Sequence, residues 1–320
     1  MVEVRGGEKI WSEFHGKFKK IKALGKSEAT YKDFYKVAIL ENIRDNINHL
    51  ELRINLLNFE DDKSNYGEKS IEYLRQAYYE VKKDYPDFTF KIITARSKAR
   101  LGDIEFESFM KSTKLLRQKI KDTYNLEHIS DFIVGYDLVG EDKVGSLERY
   151  VDKIQALKSI DVSLMPYFHA GETDDINNDG IVKAYELGCK RIGHGTNLEN
   201  FPHLFEKFKN DKICLEVCPI SNQILKLVPN IELHPAYKYF KQGIPIVIGS
   251  DDPFMFGSSG LSFDFLEIIV SWNLNLSDVK QLIINSIKYS ALSLYEKEKA
   301  MKIWEAKWAS FIRDYSKPYR

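Results

Sequence analysis

MPYFHAGE, residues 165–172, is a short apolar run that ends on a histidine and a glutamate. Six further runs of strand character accompany it: HLELRINL (49–56), FTFKIITA (88–95), FIVGYDLVG (132–140), RIGHGT (191–196), ICLEVCPIS (213–221) and PIVIGSDDP (245–253). Segments of helical period separate them, such as Ile71/Leu74/Tyr78/Val81 and Leu147/Val151/Ile154. Two more helical stripes precede the first run, through Trp11/Phe14/Phe18/Ile21/Leu24 and Phe34/Ala38/Ile39/Ile43/Ile47, and the chain closes on a helical stretch containing Trp304 and Trp308. Strands alternating with helices predict βαβ units and a parallel sheet. Polar residues choose between a doubly wound sheet and a barrel. Asp137, His169, Glu172, His194, Asn222, Asp251 and Asp252 all fall at the C-terminal ends of strands, and of several different strands. A closed barrel brings all its strand ends to one mouth, whereas a doubly wound sheet gathers its ligand at one switch point, usually after a Gly-rich turn. No GxGxxG or P-loop occurs. The reading is an α/β fold, a TIM-like (β/α)8 barrel forming one domain over residues 1–320. Only seven strands are recognisable, so a gap is expected between 49–56 and 245–253, where strand one belongs.

Composition agrees with a globular chain. Of 320 residues, 43% are hydrophobic and 29% charged, with 47 basic against 47 acidic side chains. A net charge of zero excludes the basic surface that drives nucleic-acid affinity. No apolar run approaches the ~18 residues of a membrane span. The start, MVEVRGGEKI, has no apolar signal segment, which leaves a cytoplasmic location open. Three cysteines are too few for a disulfide framework, and Cys214 and Cys218 read as buried thiols on one strand. The loop DINNDGIVKAYE (175–186) fits a calcium-loop spacing, but a strand leads into it rather than a helix, so it reads as a polar loop with a helix cap. Asp179 and Ser277 are the expected caps of two helices, and Gly188 the expected stop of the first.

Three motifs carry chemistry. HAGE places a neutral imidazole, a good ligand for a first-row metal, one tight turn from a carboxylate able to donate or accept a proton. GHG (193–195) exposes an imidazole between two glycines. SDDP (250–253) sets two carboxylates side by side at the end of an apolar strand, which is costly unless a cation compensates. Each has an ordinary structural reading alone; together they are far more specific.

HAGE, RIGHGT, EVCPISN (216–222) and GSDDP (249–253) resemble the adenosine deaminase family of zinc hydrolases. GYDLVGED (135–142) and the N-terminal FHGKFKKIKAL…YKDFYKVAILENI…HLELR stretch resemble its secreted branch, the adenosine deaminase-related growth factors. The resemblance implies one zinc per chain in a metal-dependent hydrolase barrel, hydrolytic deamination of adenosine or 2′-deoxyadenosine to the inosine product and ammonia, an extracellular location and a homodimer. It implies His169 and Asp251 as zinc ligands and Glu172 as the acid that protonates N1. His194 would orient and help deprotonate the zinc-bound water, Asp252 would act at N7, and the Gly140 backbone would face N3. The family's first strand ends in His-x-His, giving two more ligands. The seven histidines here (His15, His49, His128, His169, His194, His203 and His234) include no such pair. The expectation is therefore an N-terminally truncated member that holds zinc weakly. The alternative is a catalytically impaired, extracellular binding or growth-factor protein. His15 and His49 are expected to pack rather than ligate, and His234 to cap a helix. A third reading, a purine nucleotide such as AMP, would need Arg96, Lys98 and Arg100 to meet a phosphate.

Overall fold

Isoleucine, valine, phenylalanine and tyrosine crowd the strand runs, and their branched or aromatic side chains fit a pleated surface between two packed layers. The computed structural model describes residues 5–24, 27–57, 59, 67–98, 102–124, 132–142, 146–158 and 164–316. Its strands are β1 (His49–Ile54), β2 (Thr89–Ser97), β3 (Ile133–Val139), a broken strand formed by β4 (Met165–Pro166) and β5 (His169–Ala170), β6 (Arg191–His194), β7 (Cys214–Val217) and β8 (Ile246–Ile248). Helices α1 (Arg5–Leu24) and α2 (Glu28–Arg44) precede β1. Between the strands run α3 (Glu68–Lys82), α4 (Asp103–Tyr124), α5 (Val151–Lys158), α6 (Gly180–Glu186), α7 (Pro202–Asn210), α8 (Pro219–Ile224) and α9 (Ala236–Lys241). After β8 come α10 (Pro253–Phe256), α11 (Leu261–Ser271), α12 (Leu276–Lys288) and α13 (Leu294–Tyr315).

Every strand pairing is parallel, in the orders β1-β2-β3-β4 and β5-β6-β7-β8. Tyr167 N donates to Tyr136 O and Gly193 N to Phe168 O, so the two halves are one curved surface sharing the strand at 165–170. The seven expected strands are all present. Among the described residues β1 and β8 have no strand partner on their outer sides, and this is the expected seam. Between strands and helices lies a dry layer including Tyr136, Phe168, Ile192, Leu215 and Ile246, with a second apolar cluster where α2 and α3 cover β1 and β2.

The inner face is charged. Glu51 and Arg53 alternate along β1 with Leu50, Leu52 and Ile54, the period-two pattern of a strand with two different faces. Arg191 pairs with Glu51 and Glu216, and Arg53 pairs with Glu216 and Asp137. Burial works to raise the Glu51 carboxyl, but Arg191 and His49 overcome it and hold it well below the usual range. Charges taken out of water persist only in such paired arrangements.

Two helix starts differ from the sequence reading. Asn275, not Ser277, caps α12. Its side chain accepts from Ser277 N and Asp278 N, and Asp278 reciprocates on Asn275 N. Asp179 occupies the cap position of α6 without a side-chain bond, while Asn178 Oδ1 accepts the Gly180 N–H. Gly188 ends that segment as expected, with a left-handed φ of 76°.

Candidate active site

The strand ends converge as the polar pattern required. His169 opens the two-residue β5 and directs Nδ1 at Asp137 Oδ2, 2.7 Å away, while its own N–H donates to Asp137 Oδ1 at 2.9 Å. Arg53 Nε donates to the same carboxylate from the far side at 2.5 Å. Burial pushes against ionising Asp137, yet His169 and Arg53 prevail and keep the carboxyl well below its usual range. A charged Asp137 accepting from Nδ1 fixes the His169 tautomer and leaves Nε2 free to ligate, the arrangement commonly found behind metal-bound histidines.

Glu172 lies one turn on. Gly171 makes that turn possible: its φ is 72°, and a β-carbon there would sit 2.4 Å from Asn197 Oδ1. The loop after β6 clamps the turn, with Thr196 Oγ1 and Asn197 N both donating to Gly171 O. On the other side stands a buried pair. Lys98 bonds both Asp142 and His169 O, and Asp142 Oδ2 accepts the Glu172 N–H at 2.9 Å. Glu172 itself is 4% exposed. Burial, followed by the charges of Asp251 and Asp142, raises its carboxyl well above the ordinary value, which favours the protonated form.

His194 ends β6 with a φ of 62°, and Asp251 follows β8 with a φ of 54°. Side chains other than glycine enter that region at a cost of order 1–3 kcal/mol, and such strain concentrates at functional sites. The His194 ring lies 4.9 Å from that of His169, and its Nε2 is 3.5 Å from Glu172 Oε1. Burial lowers His194 to about 4, so the ring is neutral at pH 7. Ser221 Oγ donates to Asp251 Oδ2 at 2.7 Å. Beside it, burial and the Asp251 charge raise Asp252 well above the usual carboxylate range. Gly140 completes the rim at the end of β3, with a left-handed φ of 101°.

These residues suit a divalent metal of the zinc type. His169 presents a free nitrogen backed by a carboxylate, and Asp251 presents a carboxylate anchored by a hydroxyl. One further group of donors stands close: atoms of His194, Cys218 and Asp251 lie within 4.8 Å of one another. Burial keeps the Cys218 thiol protonated, so it offers no thiolate. A sequence profile for the family described as adenosine deaminase matches residues 1–305.

The chain belongs to the adenosine deaminase family. It is 36% identical over 318 residues to an adenosine deaminase of Phlebotomus duboscqi, covering 97% of this chain and 60% of that protein. Adenosine deaminase 2 of Homo sapiens is 34% identical over 319 residues, covering 95% of this chain and 60% of its own length. The chain thus spans about three fifths of these relatives. Among solved structures, the apo N6-methyl-AMP deaminase of Arabidopsis thaliana superposes with a TM-score of 0.77 at 20% identity, covering 92% of this chain and 82% of that one. A zinc-bound amidohydrolase of Burkhoderia ambifaria gives 0.70 at 15%, covering 90% and 76%. At these identities the structures establish the shared barrel fold.

All six residues expected at the deaminase site, Gly140, His169, Glu172, His194, Asp251 and Asp252, fall on loops or strand ends at one rim of the barrel. Those expected elsewhere do lie elsewhere. His49 starts β1 and bonds Thr89 and Glu51, while His15 packs near Trp11 and Phe14 on α1. His128 and Arg100 lie outside the described residues. Asp175, Asn178 and Glu186 of the calcium-like loop are engaged with Asn177 N, Gly180 N and Lys183. Asp142 and Ser221 fell inside the quoted motifs GYDLVGED and EVCPISN without a role assigned, and for Arg53 alternating charge in HLELRI was the available clue.

Proposed function

We propose that this chain forms the catalytic barrel of a zinc-dependent adenosine or 2′-deoxyadenosine deaminase, with Glu172, His194 and Asp252 in the chemistry and His169 and Asp251 as metal ligands. The observation that carries the reading is Glu172: a buried carboxyl, held toward its protonated form, 3.5 Å from His194 Nε2. A bound zinc supplies Lewis acidity and makes water nucleophilic near neutral pH. The chain's own residues do the rest. Glu172 donates its proton to N1 of the purine, which drains electron density from C6 and invites attack there. Asp252, also neutral, donates a hydrogen bond at N7, and the Gly140 N–H faces N3. His194 holds the oxygen that adds to C6; the hydroxyl proton then passes to the amino group, which leaves as ammonia as the C6 carbonyl forms.

A nucleoside suits this rim better than a nucleotide. Lys98 is committed to Asp142 and His169 O, and Arg96 bonds Ala95 O and stacks over Phe109. No helix among the described residues is long and apolar enough to cross a membrane. The extracellular homodimer implied by the growth-factor relatives belongs to this same proposal, and sedimentation of the purified protein tests its dimeric part.

Glu172→Gln is the direct test. Glutamine keeps the shape but has no carboxylic proton to give, and general acid–base catalysis is worth ~10²–10⁴-fold. In a chain extended by the His-x-His strand, inosine formation should fall by that factor with zinc content unchanged. Near wild-type deamination would remove Glu172 from the reaction. A folded wild-type protein that carries zinc yet makes no inosine would favour the binding or growth-factor reading.

A further inference from the structure

Behind His194 runs a file of buried polar groups whose connection no sequence motif showed. Ala236 N, at the start of α9, donates to His234 Nδ1 at 3.1 Å. His234 Nε2 lies 3.0 Å from Asn222 Oδ1, and Asn222 Nδ2 lies 3.0 Å from His194 Nδ1. All three side chains are buried, at 2%, 0% and 2% exposure, so water does not share these contacts.

A backbone N–H can only donate, and this fixes the direction of every later bond. His234 Nδ1 must accept, so the proton of the neutral ring is on Nε2. Asn222 must receive that proton with its carbonyl oxygen, which turns its amide group toward His194. The amide donates, so His194 Nδ1 must accept. We infer that His234 and Asn222 lock His194 in the Nε2–H tautomer, so that it meets the reacting oxygen as a hydrogen-bond donor and not as the resting base. Pro235, not His234, holds the cap position of α9; His234 sits one residue earlier, accepts the Ala236 N–H, and acts as a positioning residue through Asn222.

The inference deepens the proposed deaminase reading and changes one part of it. A donor at Nε2 strengthens its bond as negative charge develops on oxygen, the kind of fixed dipole that favours a transition state over the ground state. An acceptor on the protein, Glu172 Oε1, stands 3.5 Å from Nε2. That places the acidic proton of Glu172 on its other oxygen.

Long-range ¹H–¹⁵N spectra of chelator-treated protein with ¹⁵N-labelled histidine test this without catalysis, with His194→Gln assigning the signal by its loss. The expected wild-type pattern is a pyrrole-like Nε2 and a pyridine-like Nδ1 at both His194 and His234. Asn222→Asp replaces the amide donor by an acceptor, so the His194 pattern should reverse while that of His234 stays. A change of packing alone would not exchange the two nitrogens. A protonated Nδ1 at His194 in the wild type would overturn the inference, as would the same tautomer in wild type and Asn222→Asp. The wild-type spectrum decides even where the variant fails to fold. Because the readout is the tautomer, it stands or falls independently of inosine formation.

Discussion

Asp137 gives one oxygen to the His169 backbone and the other to its ring, and Arg53 neutralises it from behind. Asp137→Asn keeps the size but replaces a carboxylate by an amide, which holds the imidazole less firmly and makes it a poorer ligand. Such partners typically contribute 10–100-fold to metal affinity. Zinc competition against a chromophoric chelator should show a loss of that order for Asp137→Asn, and no change would mean that His169 is not the ligand. The strand-end position of Asp137 was legible in GYDLVGED. Its two-point hold on His169 was not, because 32 residues separate them in the chain.

Helices α11 and α12 show how termini are set by local chemistry. Asn275 satisfies two otherwise free N–H groups at the start of α12. Loss of such a cap costs about 1 kcal/mol, so Asn275→Ala should lower the urea midpoint measurably and Ser277→Ala much less. Asp264, in the first turn of α11, is 1% exposed. Its Oδ1 accepts from Ile220 N, while Oδ2 is buried with no hydrogen-bond partner. Burial raises this carboxyl from 3.8 to about 7 despite the Ile220 bond. The folded state therefore binds a proton that the unfolded chain has released. Stability from this group is full below about pH 4, declines as pH rises, and is lost above about pH 7. Asp264→Asn keeps the acceptor and removes the charge, so it should flatten the fall in Tm across that window. A wild-type Tm that rises through the same range, with the variant unchanged in slope, would refute the assignment.

Across the whole molecule, the inner face depends on charges that no neighbour in sequence supplies. Removing Arg191 leaves Glu51 and Glu216 buried without it, and breaking such a pair typically costs about 3–5 kcal/mol. Arg191→Met should therefore destabilise by that order in a denaturant melt, whereas Arg44→Met, an exposed partner of Glu41, should change little. The seam is the other global feature. An open cleft of about 2930 Å³ is lined from both of its edges, by Leu50 and Leu52 of β1 and Val247 and Ile248 of β8. Free strand edges invite association. Fusing an apolar strand that ends in His-x-His should reduce concentration-dependent association and tighten zinc binding together. Stoichiometric, tight zinc on the 320-residue chain alone would show that its own donors suffice.

Sequence by itself determined the strands, the helical stripes and the residues at the strand ends, because period and polarity are local properties written into neighbouring residues. It also pointed to His169, Glu172, His194 and Asp251 as one constellation, since a barrel sends every strand end to the same rim. Helix caps were less legible: Asn275 and Ser277 are both competent, and only backbone geometry chose between them. Tertiary structure alone decided the supporting shell. Arg53, Lys98, Asp142, Asn222 and His234 act by contacts to residues far away in the chain, and a hydrogen bond's direction depends on which groups face one another. His234 looked like a helix cap in the sequence, but Pro235 takes that position and His234 accepts the Ala236 N–H from one residue before it. Its link to His194 exists only because the end of β6, helix α8 and the residues leading into α9 meet beneath the same rim.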